Sequence, residues 1–330
     1  MRYILIMAVL MLGSQIAEAQ EANRVYRFFR TQEYQKILKE DSKQIVENID
    51  RIEEFLYQNQ DHTEIKEVYI PVVFHVLYSN KKDRLSQGAI QQQLDVVNAI
   101  FRTDKLNKQS IYNDHWKKFA GLVTDTKINF CAQTGNGNGN LAINYVETPI
   151  KEWSLGNAMK SSKTGGTDPW DTGQYLNIWV VDLEEDVSGF AQMPGGARTS
   201  DGIVIDSDFF GINHPNNPEH YKGGKTLVHL IGSYLGLHEL ANIYEKCKDD
   251  GVRDTPIHNT LNSRPKGVRV KNISLCPGAS TTMNINLMDN SDDQFLKMFT
   301  VGQIKRMQTV FSKGGPREKL VLNISLCEKN

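Results

Sequence analysis

The sequence predicts an α/β (α+β) domain built on a mixed sheet, and three observations carry that prediction. Val68–Tyr78 and Tyr175–Val181 are β-branched and aromatic runs, apolar on both faces, as buried strands are. The segment after Ser86 places Ile90, Leu94, Val97 and Phe101 on one face of a helix. A second apolar helix follows the last strand, so helices alternate with strands and must cover a sheet.

The elements follow in order. Met1, Arg2 and Tyr3 give a short basic start, Ile4 to Gly13 an apolar run, and Ala17-Glu18-Ala19 a small-x-small cleavage pattern. Residues 1–19 are therefore expected to be a secretory signal, too short to span a bilayer. Residues 20–65 are charged and helical in spacing, with Ile45, Ile49, Ile52 and Phe55 on one face. Gln58 to Thr63 is polar and reads as a linker, so residues 66–330 form the main domain. Its first strand is Val68–Tyr78, and its first helix is capped by Ser86. Lys127 to Cys131 is a second strand, and Gly135 to Asn140 an alternating Gly/Asn loop. Further strands are Tyr175–Val181, the short piece Gly189-Phe190-Ala191-Gln192-Met193, and Gly202–Ile205. A long helix is expected from about Gly224 to Leu240, irregular chain up to Met298, and a last helix from about Thr300 to Phe311.

Lys and Arg total 38 against 39 Asp and Glu. That balance excludes the basic surplus of a nucleic-acid binder. No later stretch is apolar enough to span a membrane. In a secreted chain the four cysteines, Cys131, Cys247, Cys276 and Cys327, suggest two disulfides, with three connectivities open.

The chemistry lies in Thr226–Glu239, TLVHLIGSYLGLHE. The zinc signature HExxHxxGxxH puts two His on one helix face, a Glu beside the first as general base, and a Gly that turns the chain toward a third His. Here His229 takes the first ligand position and Gly236 the turn. Leu230 stands in the base position, Ser233 in the second ligand position and Glu239 in the third, with His238 one residue early.

At these residues the chain resembles the pappalysin family of metzincin peptidases, which includes ulilysin. The fragments IPVVFHVLY, QLDVVNAIFR, INFCAQ, YLNIWVVDL, GFAQMPG and DGIVI occur in the family's order, as do CKDDGVRDTP and NLMDNSDDQFLKMFTVGQIKRM after the helix. The resemblance spans about Val68 to Met307. It implies a twisted five-stranded sheet with two long helices, an irregular lower lobe, and a zinc site between the lobes. It further implies that Gly189 to Met193 is the edge strand that aligns extended peptides. Met288 matches the Met-turn. Asp249, Asp250, Asp254 and Thr255 lie where some members bind calcium, and Cys247 and Cys276 where members form a disulfide. Cys131–Cys327 is then the remaining pair. Asn290 replaces the family's Met-turn Tyr, and Phe29 in Phe29–Glu33 replaces the cysteine by which proforms hold the metal latent.

The departures fix the reading. Losing the base alone costs about 10²–10⁴ in rate, and losing the metal removes the activated water as well. His229 and Glu239 are two vestigial ligands where three are needed. The sequence therefore predicts a pseudoprotease without zinc, secreted to the periplasm, cell surface or medium, that binds an extended peptide or protein. On this reading His229 is a buried histidine, while His238, Glu239 and the Asp249-Asp250 stretch are solvated. The competing reading is an active zinc peptidase whose ligands include His229, His238 or Glu239, and His214 or His220. The sequons at Asn272 and Asn323 are read as chance.

Overall fold

The computed structural model describes residues 29–102, 117–132, 141–184, 187–240, 247–257, 276–277, 281–321 and 327. The signal segment, the Gly/Asn loop and both sequons lie outside the described residues.

Two helices open the described chain, α1 (Thr31–Asp41) and α2 (Lys43–Asn59). Strand β1 (Val68–Tyr78) follows as predicted, then α3 (Gln87–Phe101), whose N-terminus is capped by Ser86 Oγ accepting from Ala89 N at 3.1 Å. Its predicted apolar face is the buried one: Ile90, Leu94, Val97 and Phe101. Strands β2 (Ile128–Cys131), β3 (Ile143–Glu147), β4 (Leu176–Val181), β5 (Gly189–Ala191) and β6 (Ile203–Asp206) complete the sheet. Helices α4 (Lys225–Tyr234) and α5 (Val301–Thr309) end it.

The sheet order is β2-β1-β4-β6-β5, with β3 also paired to β1. It has six strands where five were expected. The eleven-residue β1 shares one edge between two partners, β2 along Val68–Pro71 and β3 along Phe74–Tyr78. Strand β3 escaped the sequence reading because its side chains are only partly buried and lack an apolar run. All pairs are parallel except β5 against β6, where Phe190 faces Val204. The mixed sheet agrees with the predicted α/β class.

Period-two alternation divides the core between the two faces. Val72, Phe74, Ile178, Ile203 and Ile205 pack on the side of α3 and α4; Leu77, Trp179, Val181, Phe190 and Val204 pack on the other. The N-terminal segment wraps the β5 edge and joins both. Phe29 and Leu56 belong to the first cluster, Tyr34 and Leu38 to the second. Each such burial is worth roughly 1.5–3 kcal/mol. At Gly195 (φ +111°) a Cβ would stand 2.8 Å from Ile49 Cα of α2, so the domain's backbone is shaped to this strap.

Both disulfides form as expected, Cys247–Cys276 and Cys131–Cys327. The second ties β2 to the C-terminal end across 196 residues. Replacing Cys131 and Cys327 together by serine is expected to lower stability by about 2–4 kcal/mol, because a long loop regains its unfolded-state entropy. A denaturant melt of the double variant checks this, and an unchanged midpoint would refute it.

Candidate peptidase cleft

Helix α4 carries the predicted site. Gly224 enters it with φ +69°, and Asp293 Oδ2 accepts from Gly223 N at 2.9 Å and Lys225 N at 3.3 Å. The helix ends at Tyr234, short of the predicted Leu240. Gly236 (φ +90°) closes it in a Schellman turn, with Leu237 N donating to Gly232 O and Gly236 N to Ser233 O, both at 3.0 Å. The turn residue therefore acts as the signature requires, and His238 and Glu239 lie beyond the helix.

His229 is fully buried, and its Nδ1 donates to the carbonyl oxygen of Leu287 at 3.0 Å. A metal-ligating histidine uses its second nitrogen in the same way, so the ring keeps a ligand's orientation. Leu287 precedes Met288 in a turn held by Asn286, whose Oδ1 accepts from Met288 N at 2.9 Å. Met288 is fully buried core, its sulfur filling the space beside Gly232, as the Met-turn resemblance implies. Leu230 is also fully buried. A Cβ on Gly189 would meet Leu230 Cδ1 at 2.7 Å, so the base position has become apolar packing against the edge strand. Ser233 is buried one turn on.

The strap closes over this helix. Phe29 lies flat on His229, with ring centroids 3.6 Å apart and an interplanar angle of 6°. The backbone beside it pairs with β5: Phe29 forms a parallel bridge to Gly189, Arg30 N donates to Gly189 O at 3.0 Å, and Thr31 Oγ1 accepts from Ala191 N at 3.2 Å. Gln35 Nε2 donates to Ala191 O at 3.3 Å. The edge strand is thus occupied by the chain's own residues. Of the five predicted edge residues only Gly189, Phe190 and Ala191 are strand. Gln192 still donates its N–H to Gly202 O at 2.9 Å, but its side chain turns inward to Ser200 and Ala197, and Met193 is buried core.

Glu239 and His238 are not a solvated helix end. Glu239 Oε1 is buried without a hydrogen-bond partner among the described residues. Burial, with the charge of Glu33 beside it, pushes this carboxyl up to about 8, and Arg30 offsets part of the rise. His238 Nε2 meets Glu53 Oε1 of α2 at 3.4 Å. The Asp249-Asp250 stretch is likewise not simply solvated, since Asp250 is buried and accepts from Thr255 Oγ1 at 2.7 Å and Val252 N at 3.2 Å. Asp254 serves the N-terminus of α5, accepting from Thr300 Oγ1 at 2.6 Å and Gly302 N at 2.8 Å. Of the four residues proposed for calcium, only Asp250 and Thr255 are in contact, while Asp249 accepts from Gly251 N. Asn290 follows the Met-turn, partly buried. His220 Nδ1 lies 3.1 Å from Asp292 Oδ2, and His214 lines a separate polar cavity with Asp182 and Asp208.

Two clusters that fasten the strap were missed in the sequence. Lys160 is buried; its ammonium donates to Tyr34 Oη and Ser200 O, both at 2.9 Å, and lies over the rings of Tyr34, Trp179 and Phe190. Burial holds this lysine down to about 7, against the opposing charge of Asp201. Arg306 is fully buried on α5, donating through Nε to Gly236 O at 2.8 Å and through Nη2 to Glu53. Neither cluster has a local motif, because each pairs residues more than 100 positions apart.

Comparison with known proteins now decides the family. Residues 160–312 match the family profile described as pregnancy-associated plasma protein-A. An extracellular metalloprotease of Arthroderma benhamiae is 30% identical over 246 residues, 73% of this chain and 76% of the relative. The chain belongs to the pappalysin family. Another extracellular metalloprotease, from Arthroderma gypseum, is 27% identical over 258 residues, 74% of this chain and 72% of its own. Among solved structures, mature mirolysin of Tannerella forsythia in complex with a cleaved peptide matches with TM-score 0.68 at 29% identity, covering 80% of this chain and 99% of that one. A promirolysin variant from the same organism matches with TM-score 0.76 at 26% identity, covering 92% of this chain and 100% of that one. The pappalysin fold is therefore the fold found here.

The zinc that the family implies meets a poor donor set. The three ligand positions hold one imidazole, one Ser hydroxyl and one carboxylate, and a hydroxyl is a weak zinc donor. Among the described residues no three His, Cys, Asp or Glu side chains stand together as a metal group. These residues do not fit zinc held in the pappalysin manner.

Proposed function

We propose that this chain is a secreted, non-catalytic pappalysin whose cleft binds an extended segment of peptide or protein. One observation carries the reading: Phe29, Arg30 and Thr31 are gripped against β5 and His229 by hydrogen bonds and ring stacking. The cleft thus holds a segment of polypeptide along its edge strand. The base position is packed with Leu230, and the solved relative that resembles the chain fold for fold holds a cleaved peptide. Residues 29–62 act as the counterpart of a prosegment, in keeping with the larger share of the chain that the promirolysin structure covers. Secretion agrees with the two disulfides and the relatives' extracellular naming. No described helix is long and apolar enough to cross a membrane.

The test is metal content and cleavage in one preparation. The chain is loaded with zinc, desalted, and incubated with unfolded casein with and without a chelator. The expected result is no retained zinc and no cleavage above the chelated control. About one zinc per chain, with casein cleavage that the chelator or His229→Ala abolishes, would overturn the reading and establish a peptidase with a different ligand set.

A further inference from the structure

Resting on the reading of the cleft as a peptide-binding site, we propose that its preferred ligand is an extended segment with an aromatic residue that takes the place of Phe29. Such a segment enters by displacing Phe29 and Arg30.

The chain's own strap supplies the template. The Phe29 ring meets His229 face to face at 3.6 Å and is enclosed by the main core cluster. Leu230 and the backbone of Gly189 close the neighbouring space, so the position is a flat apolar slot with an imidazole as one wall. An aromatic ring fills such a slot and stacks on the imidazole; an aliphatic chain fills it without stacking. His229 cannot turn away, because Nδ1 is held by Leu287 O. Two residues on, where α1 begins, Ala191 N donates to the hydroxyl oxygen of Thr31 at 3.2 Å. The main-chain contact at Gly189 O is open to any sequence.

The rest of the strap is anchored elsewhere. Tyr34 is fixed to Lys160 and Asn157, and Glu53 to Arg306 and His238. The tip ahead of α1 can therefore leave the slot while α1 and α2 stay docked, which makes Phe29 and Arg30 a tethered competitor. A tether of this kind competes at millimolar effective concentration, so an incoming segment must match the slot chemistry to win.

The probe is a fluorescein-labelled octapeptide centred on Phe-Arg-Thr, compared with the same peptide carrying Ala for Phe. Both are titrated by anisotropy into the full wild-type chain and into full-length Phe29→Gly/Thr31→Gly, with thermal melting to verify the fold. Phe29→Ala serves as a second variant should the double variant melt early. The Phe peptide is expected to bind the emptied variant about tenfold tighter than the Ala peptide, and wild type at least about tenfold more weakly than the variant. Adding His229→Gln to the variant should erase most of the preference for Phe. Equal binding of the two peptides would overturn the aromatic preference and leave the peptide-binding cleft standing. Binding of neither peptide by a folded variant would overturn both.

Discussion

Replacing Leu230 by glutamate is expected to destabilise the protein by about 3 kcal/mol or more and to restore no peptidase activity. The substitution puts back the residue that the zinc signature carries beside its first histidine. In this fold Leu230 packs against Gly189 of the edge strand and is fully buried. A carboxyl placed there enters the apolar core cluster to which Leu230 belongs. It would protonate or push β5 away, and either response costs stability. With Ser233 still in the second ligand position, a restored base would, on the proposed non-catalytic reading, have no metal-activated water to deprotonate. Urea unfolding of wild type and variant measures the first expectation, and a casein assay in zinc the second. A Leu230→Glu protein that melts with wild type and cleaves casein would show that the leucine is a recent change in a site otherwise able to turn over.

The sequence disclosed the fold through patterns that act locally. β-branched runs placed β1, β4 and β6, and the 3.6-residue period placed the face of α3, while the long helix was drawn past Gly236 to Leu240 although it ends at Tyr234. It did not disclose β3, whose burial depends on sharing the edge of β1 with β2. The candidate site was legible where a known spacing exposed its departures, at Leu230, Ser233 and Glu239. Phe29 could be matched in the sequence only as a replaced latch residue; its stacking on His229 depends on a chain path of 200 residues. The environments of Glu239, His238 and Asp250 were misread as solvated for the same reason. Polar residues after a helix stop are usually exposed, and here α1 and α2 of the strap pack over the first two.

The second large effect is expected at the pair that fastens this strap, and the two partners should not be equivalent. Glu53→Ala should cost about 3–5 kcal/mol, whereas Arg306→Met should cost clearly less. Arg306 is completely buried while the Glu53 side chain keeps 42% of its surface exposed. Removing Glu53 strands a guanidinium that can still donate to Gly236 O and Gln60 but has no counter-charge in contact among the described residues. Removing Arg306 leaves a carboxylate that has His238 and water. The pH dependence follows from the same geometry. Burial alone would raise Glu53, but the hydrogen bond and charge of His238, then those of Arg306, hold it down to about 2, below the ordinary 4.5. A carboxyl lowered in the folded state adds stability that is complete above its unfolded value and is lost as pH falls from about 4.5 toward 2. Partial exposure of Glu53 makes that contribution smaller than the shift alone suggests. Melting curves of wild type and Glu53→Ala should therefore converge on acidification below pH 4 and stay apart at neutral pH. Equal melting of the two proteins at neutral pH would mean that α2 is held by Leu56 and its apolar neighbours alone, with the buried arginine satisfied by backbone carbonyl and amide oxygens.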